Sequence, residues 1–159
     1  MKATPAEIET YLGLLAQTPQ RIQRAVSSSG EARLKRKAGD KSWSVNEILA
    51  HLRSCADLWT HSIYAMLAEK EPVFSDISER KWAKVTRYAE LAFTESFQAY
   101  RLQRENLWRV LQALPFEAWE RPALIFERRH TVFTQTRRLA KHELEHTAQI
   151  EDLLQSAAR

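Results

Sequence analysis

The sequence predicts an all-α fold, and more closely a four-helix bundle with long crossover connections. Only three glycines and five prolines occur in 159 residues, so residues that form tight turns or end helices are scarce. Four segments carry apolar residues at helical spacing. Helices of about 20–27 residues would be about 30–40 Å long, which suits one bundle. We therefore expect residues 1–159 to form a single domain.

The first predicted helix begins at Thr4-Pro5-Ala6-Glu7. This stretch is a capping box with proline in the first turn, where its missing N–H costs nothing. Thr18-Pro19 then predicts a kink or short break near residue 17. The basic residues of the polar connection at 30–42 are typical of a solvated loop, because no aromatic side chain lies between them to stack on nucleic-acid bases.

The second predicted helix begins at the capping box Ser44-Val45-Asn46-Glu47 and runs to about Glu69. Trp43 precedes the cap, and we expect it to pack against Ile48. His51 lies beside the apolar face of this helix, whereas His61 is rotated well away from His51. The apolar face itself comprises Val45, Ile48, Leu49, Leu52, Ala56, Trp59, Ile63 and Met66.

The third predicted helix starts at Phe93 and is stopped by Pro115. Its apolar residues keep the alternating four-three spacing of a bundle seam, in which Arg104 fills one position. Residues 73–90 before this helix are expected to be a loop leading into helix.

Residues 115–131 are predicted to form a second long connection. Residues 123–126 within it suggest a short extended piece, but we do not predict a sheet. The fourth predicted helix begins near Thr131 or Thr134 and reaches about Gln155. Connections of this length allow crossovers, so helices that follow each other in sequence need not be neighbours in space.

Two histidines of the fourth helix are the strongest chemical signal. His142 and His146 are four residues apart and so lie about 40° from each other on one helix face. This spacing allows two imidazoles to bind one metal ion. Leu139 and Ile150 fall on nearly the same face, so the pair is expected to point inward. Inward-facing histidines are also common as hydrogen-bonded core residues.

A divalent ion needs at least one further ligand, and His51 is the best candidate if the second and fourth helices are adjacent. Cys55 lies one turn after His51. Its thiol could bind a soft metal ion, but a single cysteine on a helix is more commonly a small core residue. Glu47 is already engaged by its capping box. His130 is expected to be solvated in a loop.

The letters His142-Glu143-Leu144-Glu145-His146 also match the His-Glu-x-x-His motif of zinc proteases. We reject that class here. Its third ligand follows downstream, yet the residues after His146 contain neither a histidine nor a glycine.

The composition narrows the function classes further. A formal charge of +4 is too small to indicate a nucleic-acid binder by itself. No stretch approaches the ~18–20 apolar residues of a membrane span, and we recognise no signal peptide. The single cysteine excludes an internal disulfide and fits a cytoplasmic setting.

Three stretches together resemble the DinB-like (damage-inducible) family of four-helix bundles. They are residues 43–52 at the start of the second helix, residues 142–150 on the fourth, and Leu114 to Arg121 in the connection between the third and fourth helices. One departure is Phe126-Glu127-Arg128-Arg129-His130, which lacks the glycine expected before the last helix.

The resemblance implies an up-down-down-up bundle with a metal site formed by His51, His142 and His146. It also implies a divalent ion, zinc or nickel first, and often a homodimer. Relatives in this family include thiol-dependent transferases and isomerases that use bacillithiol, mycothiol or glutathione.

We therefore expect a metal-dependent enzyme of the thiol S-transferase type, acting on a small-molecule thiol and an electrophile. The alternative is a non-catalytic, metal-stabilised bundle that acts as a dimerising stress-response or interaction module. Binding of nucleic acid through the basic loops is a third and weaker hypothesis.

Overall fold

Four long helices form a bundle in the computed structural model, which describes residues 2–75 and 78–156. They are α1 (Pro5–Val26), α3 (Val45–Ala68), α5 (Phe93–Gln112) and α6 (Val132–Ser156). The connections carry the short helices α2 (Glu31–Lys35) and α4 (Glu79–Thr86), 3₁₀ turns at Tyr88–Glu90 and Phe116–Glu120, and the strands β1 (Val73–Phe74), β2 (Pro122–Ile125) and β3 (Arg128–Thr131). The predicted all-α bundle is confirmed, and its four long helices lie where the sequence places them.

Helix α1 begins at the predicted capping box but is not interrupted at Thr18-Pro19. The Thr4 hydroxyl accepts a hydrogen bond from the Glu7 amide at 3.3 Å. The predicted break near residue 17 is wrong, because the helix continues through Pro19 to Val26. The Thr18 hydroxyl donates to the Leu14 carbonyl at 2.8 Å, and both Thr18 and Pro19 are buried. Packing of this segment therefore outweighs the backbone hydrogen bond that proline removes.

Reciprocal caps define the first turns of helices α3 and α6. The Ser44 hydroxyl accepts from the Glu47 amide, and the Glu47 carboxylate accepts from the Ser44 amide. Helix α6 begins at Val132, just after Thr131, and the side chains of Thr131 and Thr134 each accept a hydrogen bond from the other residue's amide. Both caps are local in sequence, which is why sequence reasoning placed these starts well.

Helices α1 and α6 run parallel to each other. Near their beginnings the rings of Tyr11 and Phe133 lie 5.9 Å apart. Near their ends the Arg21 guanidinium bonds the Glu151 carboxylate at 2.5 Å. Both contacts join residues at similar distances from the starts of their helices, so α1 and α6 run in the same direction.

Helix α3 runs antiparallel to α6. His51, near the start of α3, meets His142 in the second half of α6. Trp59, further along α3, meets Arg138, which comes earlier in α6. The contacts therefore step forward on one helix and backward on the other.

Helices α3 and α5 run parallel, which gives the up-down-down-up order. The Arg53 guanidinium donates to the Ser96 hydroxyl, and the Gln103 amide donates to the Asp57 carboxylate. Helices α1 and α3 each pack against both α5 and α6, so α1 stands diagonally opposite α3 and α5 stands diagonally opposite α6. This arrangement requires the long crossovers that the sequence predicted.

A three-stranded sheet in these crossovers was not predicted from the sequence. β1 pairs in parallel with β2, and β2 pairs antiparallel with β3. β1 has two residues only, and its partner lies about fifty positions away in the chain, so no local pattern reveals it. Phe126 and Glu127, in the turn from β2 to β3, have positive φ angles of 47° and 59°. Glycine or asparagine favours that conformation, and neither occurs here.

Arg121 joins the connection between α5 and α6 to the end of α3. Its guanidinium donates to the carbonyls of Met66 at 2.6 Å and Glu69 at 2.9 Å. These carbonyls belong to the last turn of α3 and its cap, where helical partners are missing. Among the described residues, no helix is long and apolar enough to cross a membrane.

An ion pair lies in the interior of the bundle, between the diagonal helices α5 and α6. The Arg104 guanidinium bonds the Glu143 carboxylate at 2.6 Å, and their side chains are 1% and 0% exposed. The Tyr100 ring flanks the guanidinium, with its centre 5.7 Å from Arg104 Cζ. Arg104 thus occupies an apolar seam position because it meets a carboxylate from the opposite helix.

We predict that Arg104→Met lowers the free energy of unfolding by about 3–5 kcal/mol, because it leaves the Glu143 carboxylate buried without a partner. The double variant Arg104→Met/Glu143→Leu should lose less than the single variant. Urea denaturation measures both. The control is Arg87→Gln, which breaks the exposed Arg87–Glu90 pair and should leave the midpoint unchanged. A silent Arg104→Met would contradict the prediction.

Candidate metal centre

Three imidazoles from α3 and α6 converge at one point in the bundle. The Nε2 atoms of His51 and His142 are 3.0 Å apart, and one ligand nitrogen from each of His51, His142 and His146 lies within 4.8 Å of the other two. Two nitrogens bound about 2.0–2.1 Å from a tetrahedral zinc ion are about 3.3–3.4 Å apart. The spacing and chemistry of these donors therefore fit a divalent transition metal.

Helix geometry and antiparallel packing together produce this cluster. His142 and His146 lie one turn apart on α6, with ring centres 4.6 Å apart. His51 comes from α3, and its ring centre is 5.0 Å from that of His142 and 4.9 Å from that of His146. All three side chains are partly buried, so they are shielded from bulk water but remain reachable.

Gln149 orients one of the three imidazoles. Its side-chain oxygen lies 2.9 Å from His146 Nδ1, one turn further along α6. When Nδ1 donates the proton in this hydrogen bond, Nε2 keeps its lone pair for a metal ion. Such partners fix the tautomer and the ring orientation of metal-binding histidines.

Burial favours the neutral form of His51 and His142. Loss of water and, to a smaller extent, the neighbouring His146 and His51 together lower the pKa of His142 to about 3. Burial, followed by His146, also lowers the pKa of His51. Neutral imidazole is the form that binds metals, so protons compete for these two rings only in acid.

Cys55 and Trp43 complete the surroundings of the imidazoles. The Cys55 sulfur lies 3.7 Å from His51 Nε2 and 3.9 Å from His142 Nε2. It is buried, and burial raises the pKa of its thiol to about 12, so the thiol is protonated at neutral pH. The Trp43 ring lies against His51 and His146, with centres 5.0 and 6.1 Å away. Trp43 therefore covers one side of the imidazole cluster.

Other residues considered from the sequence lie elsewhere or serve other roles. Glu143, in the protease-like motif, points into the core and bonds Arg104, so it is not available as a base. His61 contacts the Phe74 ring at 5.6 Å, outside the cluster. The expectation of a solvated loop at His130 is wrong, because His130 lies on β3 and is half-buried.

A cavity of about 530 Å³ gives access to the imidazoles. Helix α3 contributes three of its lining residues and α6 most of the others, with Glu79 from α4. The lining residues are His51, Cys55, Trp59, Glu79, Thr134, Arg137, Arg138, Lys141, His142 and Glu145. A small molecule in this cavity can therefore reach a metal ion held by the histidines.

Comparison with known proteins identifies the family. The model of the DinB superfamily matches residues 14–150, which include all three histidines. The chain belongs to the DinB superfamily. The search of the curated proteins found no significant match.

A solved structure supports the DinB-type fold. The protein is similar to YfiT from Bacillus subtilis, with a TM-score of 0.84 and 17% sequence identity over 99% of this chain and 91% of that chain. YfiT is described as "a probable metal-dependent hydrolase with an unusual four-helix bundle topology". At this identity the likeness establishes the fold.

Sequence reasoning missed several residues of this site: Arg138 and Glu79 line the cavity, and Gln149 contacts His146. Arg138 precedes His142 by one helical turn, and Gln149 follows His146 by three residues, so helical spacing alone could have indicated both. Glu79 carried no such signal, because α4 approaches the cavity only through the crossover.

We predict that the protein purified without tag or chelator contains about one divalent metal ion per chain. His51→Ala and His142→Ala should each reduce the content to background, because two imidazoles hold a divalent ion weakly. Elemental analysis by mass spectrometry measures this. His61→Ala is the matched control on α3 and should retain the metal. Equal metal contents in His51→Ala and the unmodified protein would refute the site.

Proposed function

We propose that this protein is a divalent-metal-dependent enzyme that activates a small-molecule thiol for transfer to an electrophile. The convergence of three imidazoles, two of which line an open cavity, carries the proposal. Zinc or nickel fits three nitrogen donors. A buried structural site would instead close around its ion with protein ligands.

Each residue around the imidazoles has a distinct role in this proposal. His51, His142 and His146 would hold the ion, and Gln149 would keep His146 in the binding tautomer. Because all three ligands are neutral, an ion bound there would keep its double charge and lower the pKa of a thiol that reaches it. Trp43 and Trp59 shield the imidazoles and limit access of water to the reacting groups.

The surroundings favour a thiol over water as the nucleophile. Water is a far weaker acid than a thiol, because the pKa of water lies far above that of a thiol. Metal-dependent proteases supply a glutamate base in the His-Glu-x-x-His motif. Here that glutamate, Glu143, is bound by Arg104 in the core. A nucleophile that loses its proton readily therefore suits this site better.

The reaction class follows from this choice. The sulfur forms a bond to an electrophilic carbon of the second substrate, and the bond from that carbon to its leaving group breaks with its electron pair. The thiol proton passes to the solvent or to the leaving group. The chain itself is not consumed.

Metal-dependent hydrolysis is the second candidate, favoured by the likeness to YfiT. It would use the same imidazoles with water as the nucleophile. Hydrolysis would proceed without added thiol, which separates the two activities in one assay.

A non-catalytic, metal-stabilised module is the remaining alternative. The three histidines join α3 to α6, so an ion there would cross-link two helices distant in sequence. Loss of His51 would then lower the thermal unfolding temperature and affect no turnover. A homodimer and a cytoplasmic location remain predictions for either function.

The test is turnover of a panel of low-molecular-weight thiols with alkylating electrophiles by protein loaded with Zn²⁺ or Ni²⁺. We expect thiol conjugation that depends on the metal, is lost in His142→Ala and is kept in His61→Ala. Ester hydrolysis without thiol would favour the second candidate. Absence of both activities, with metal-dependent stabilisation intact, would favour the non-catalytic module.

A further inference from the structure

Basic side chains of α6 face the cavity that leads to the imidazoles. Arg137, Arg138 and Lys141 line it, against the carboxylates of Glu79 and Glu145. The ion in the proposed function would add two positive charges. A cavity with an excess of positive charge attracts anionic ligands and concentrates them near the reacting group.

Arg138 is held close to the imidazoles by an aromatic ring. Its guanidinium carbon lies 4.2 Å from the centre of the Trp59 ring, and the Trp59 ring contacts His142 edge-on at 4.9 Å. Arg138 and Lys141 precede His142 by four residues and one residue on the same helix. A guanidinium held over the Trp59 ring keeps its N–H donors free for a planar carboxylate, which it can bind with two hydrogen bonds.

The partner that Arg138 has in this structure is a weak one. Its Nη2 atom lies 3.5 Å from a Glu79 oxygen, and the two side chains are 47% and 30% exposed. Ion pairs with this exposure and length contribute little to stability. A ligand carboxylate can therefore replace Glu79 at small cost.

Arg138 also stands where two cavities meet. A second cavity, of about 600 Å³, shares Trp59, Glu79 and Arg138 with the first. Arg128 and His130 line this second cavity, beside the apolar side chains of Phe74 and Ile125. Arg137, by contrast, bonds the Tyr11 hydroxyl, so we assign it no ligand.

We propose, on the basis of the function proposed above, that the substrate carries a carboxylate which Arg138 and Lys141 bind beside the metal centre. The reacting atom then faces the three imidazoles while the carboxylate stays on the Trp59 side of the cavity. The two basic residues thereby restrict the substrates to organic acids.

The experiment titrates the full-length chain with succinate and with uncharged succinamide, at fixed ionic strength. It is run after chelator treatment and again after loading with Zn²⁺. The indole N–H signal of Trp59, assigned with Trp59→Phe, reports binding at this place by nuclear magnetic resonance. We expect succinate to shift this signal in both forms and succinamide to leave it unchanged.

Substitutions identify the residues responsible. Arg138→Gln and Lys141→Gln should each weaken succinate binding about fivefold, as expected for one partly exposed charge contact. Arg109→Gln, which makes the same charge change on α5, is the control and should bind as the unmodified chain does. Unchanged amide spectra away from the cavity show that the variants fold.

The assignment would be overturned by no shift with succinate, by an equal shift with succinamide, or by full affinity in both variants. Binding that needs Zn²⁺ and survives Arg138→Gln would show that the ion alone holds the carboxylate, which also overturns it. Because the chelator-treated chain is measured without turnover, failure of the proposed enzyme activity would be recorded separately.

Discussion

The buried pair of Arg104 and Glu143 is the constraint on which the interior of this bundle depends. A charged group taken out of water is tolerated only when an opposite charge meets it with good geometry. The two side chains come from the diagonal helices α5 and α6 and meet at 2.6 Å. Rotation of α6 by one residue would turn Glu143 away from α5 and leave the Arg104 guanidinium buried without its partner. The pair therefore fixes which face of α6 looks into the core.

That rotation also decides where the imidazoles go. His142 and Glu143 are adjacent in sequence and so lie about 100° apart around the helix. With Glu143 directed at α5, His142 and His146 face α3 and meet His51. The same five-residue stretch thus supplies a carboxylate to the core and two imidazoles to the candidate metal centre. This is why its resemblance to a protease motif is misleading: the glutamate is committed to Arg104.

The crossovers give the site its surroundings. Because α1 and α3 stand diagonally opposite, α3 does not pack mainly against α1. It packs antiparallel against α6. The long connections that this topology requires bring Glu79 of α4 to both cavities and the small sheet to the second one. The three imidazoles and the basic side chains of Arg138 and Lys141 therefore sit on long helices, while the crossovers complete the cavity walls.

The sequence by itself determined the helices and the chemical identity of the site. Capping boxes, apolar spacing and scarce glycine act over a few residues, so the starts of α1, α3 and α6 and the His142–His146 pair could be predicted locally. The tertiary structure decided the rest. It kept α1 continuous through Pro19, paired β1 with β2, gave Arg104 its partner and brought Glu79 beside Arg138. These outcomes depend on contacts between residues far apart in the chain. The energies of such contacts cannot be predicted from local sequence patterns.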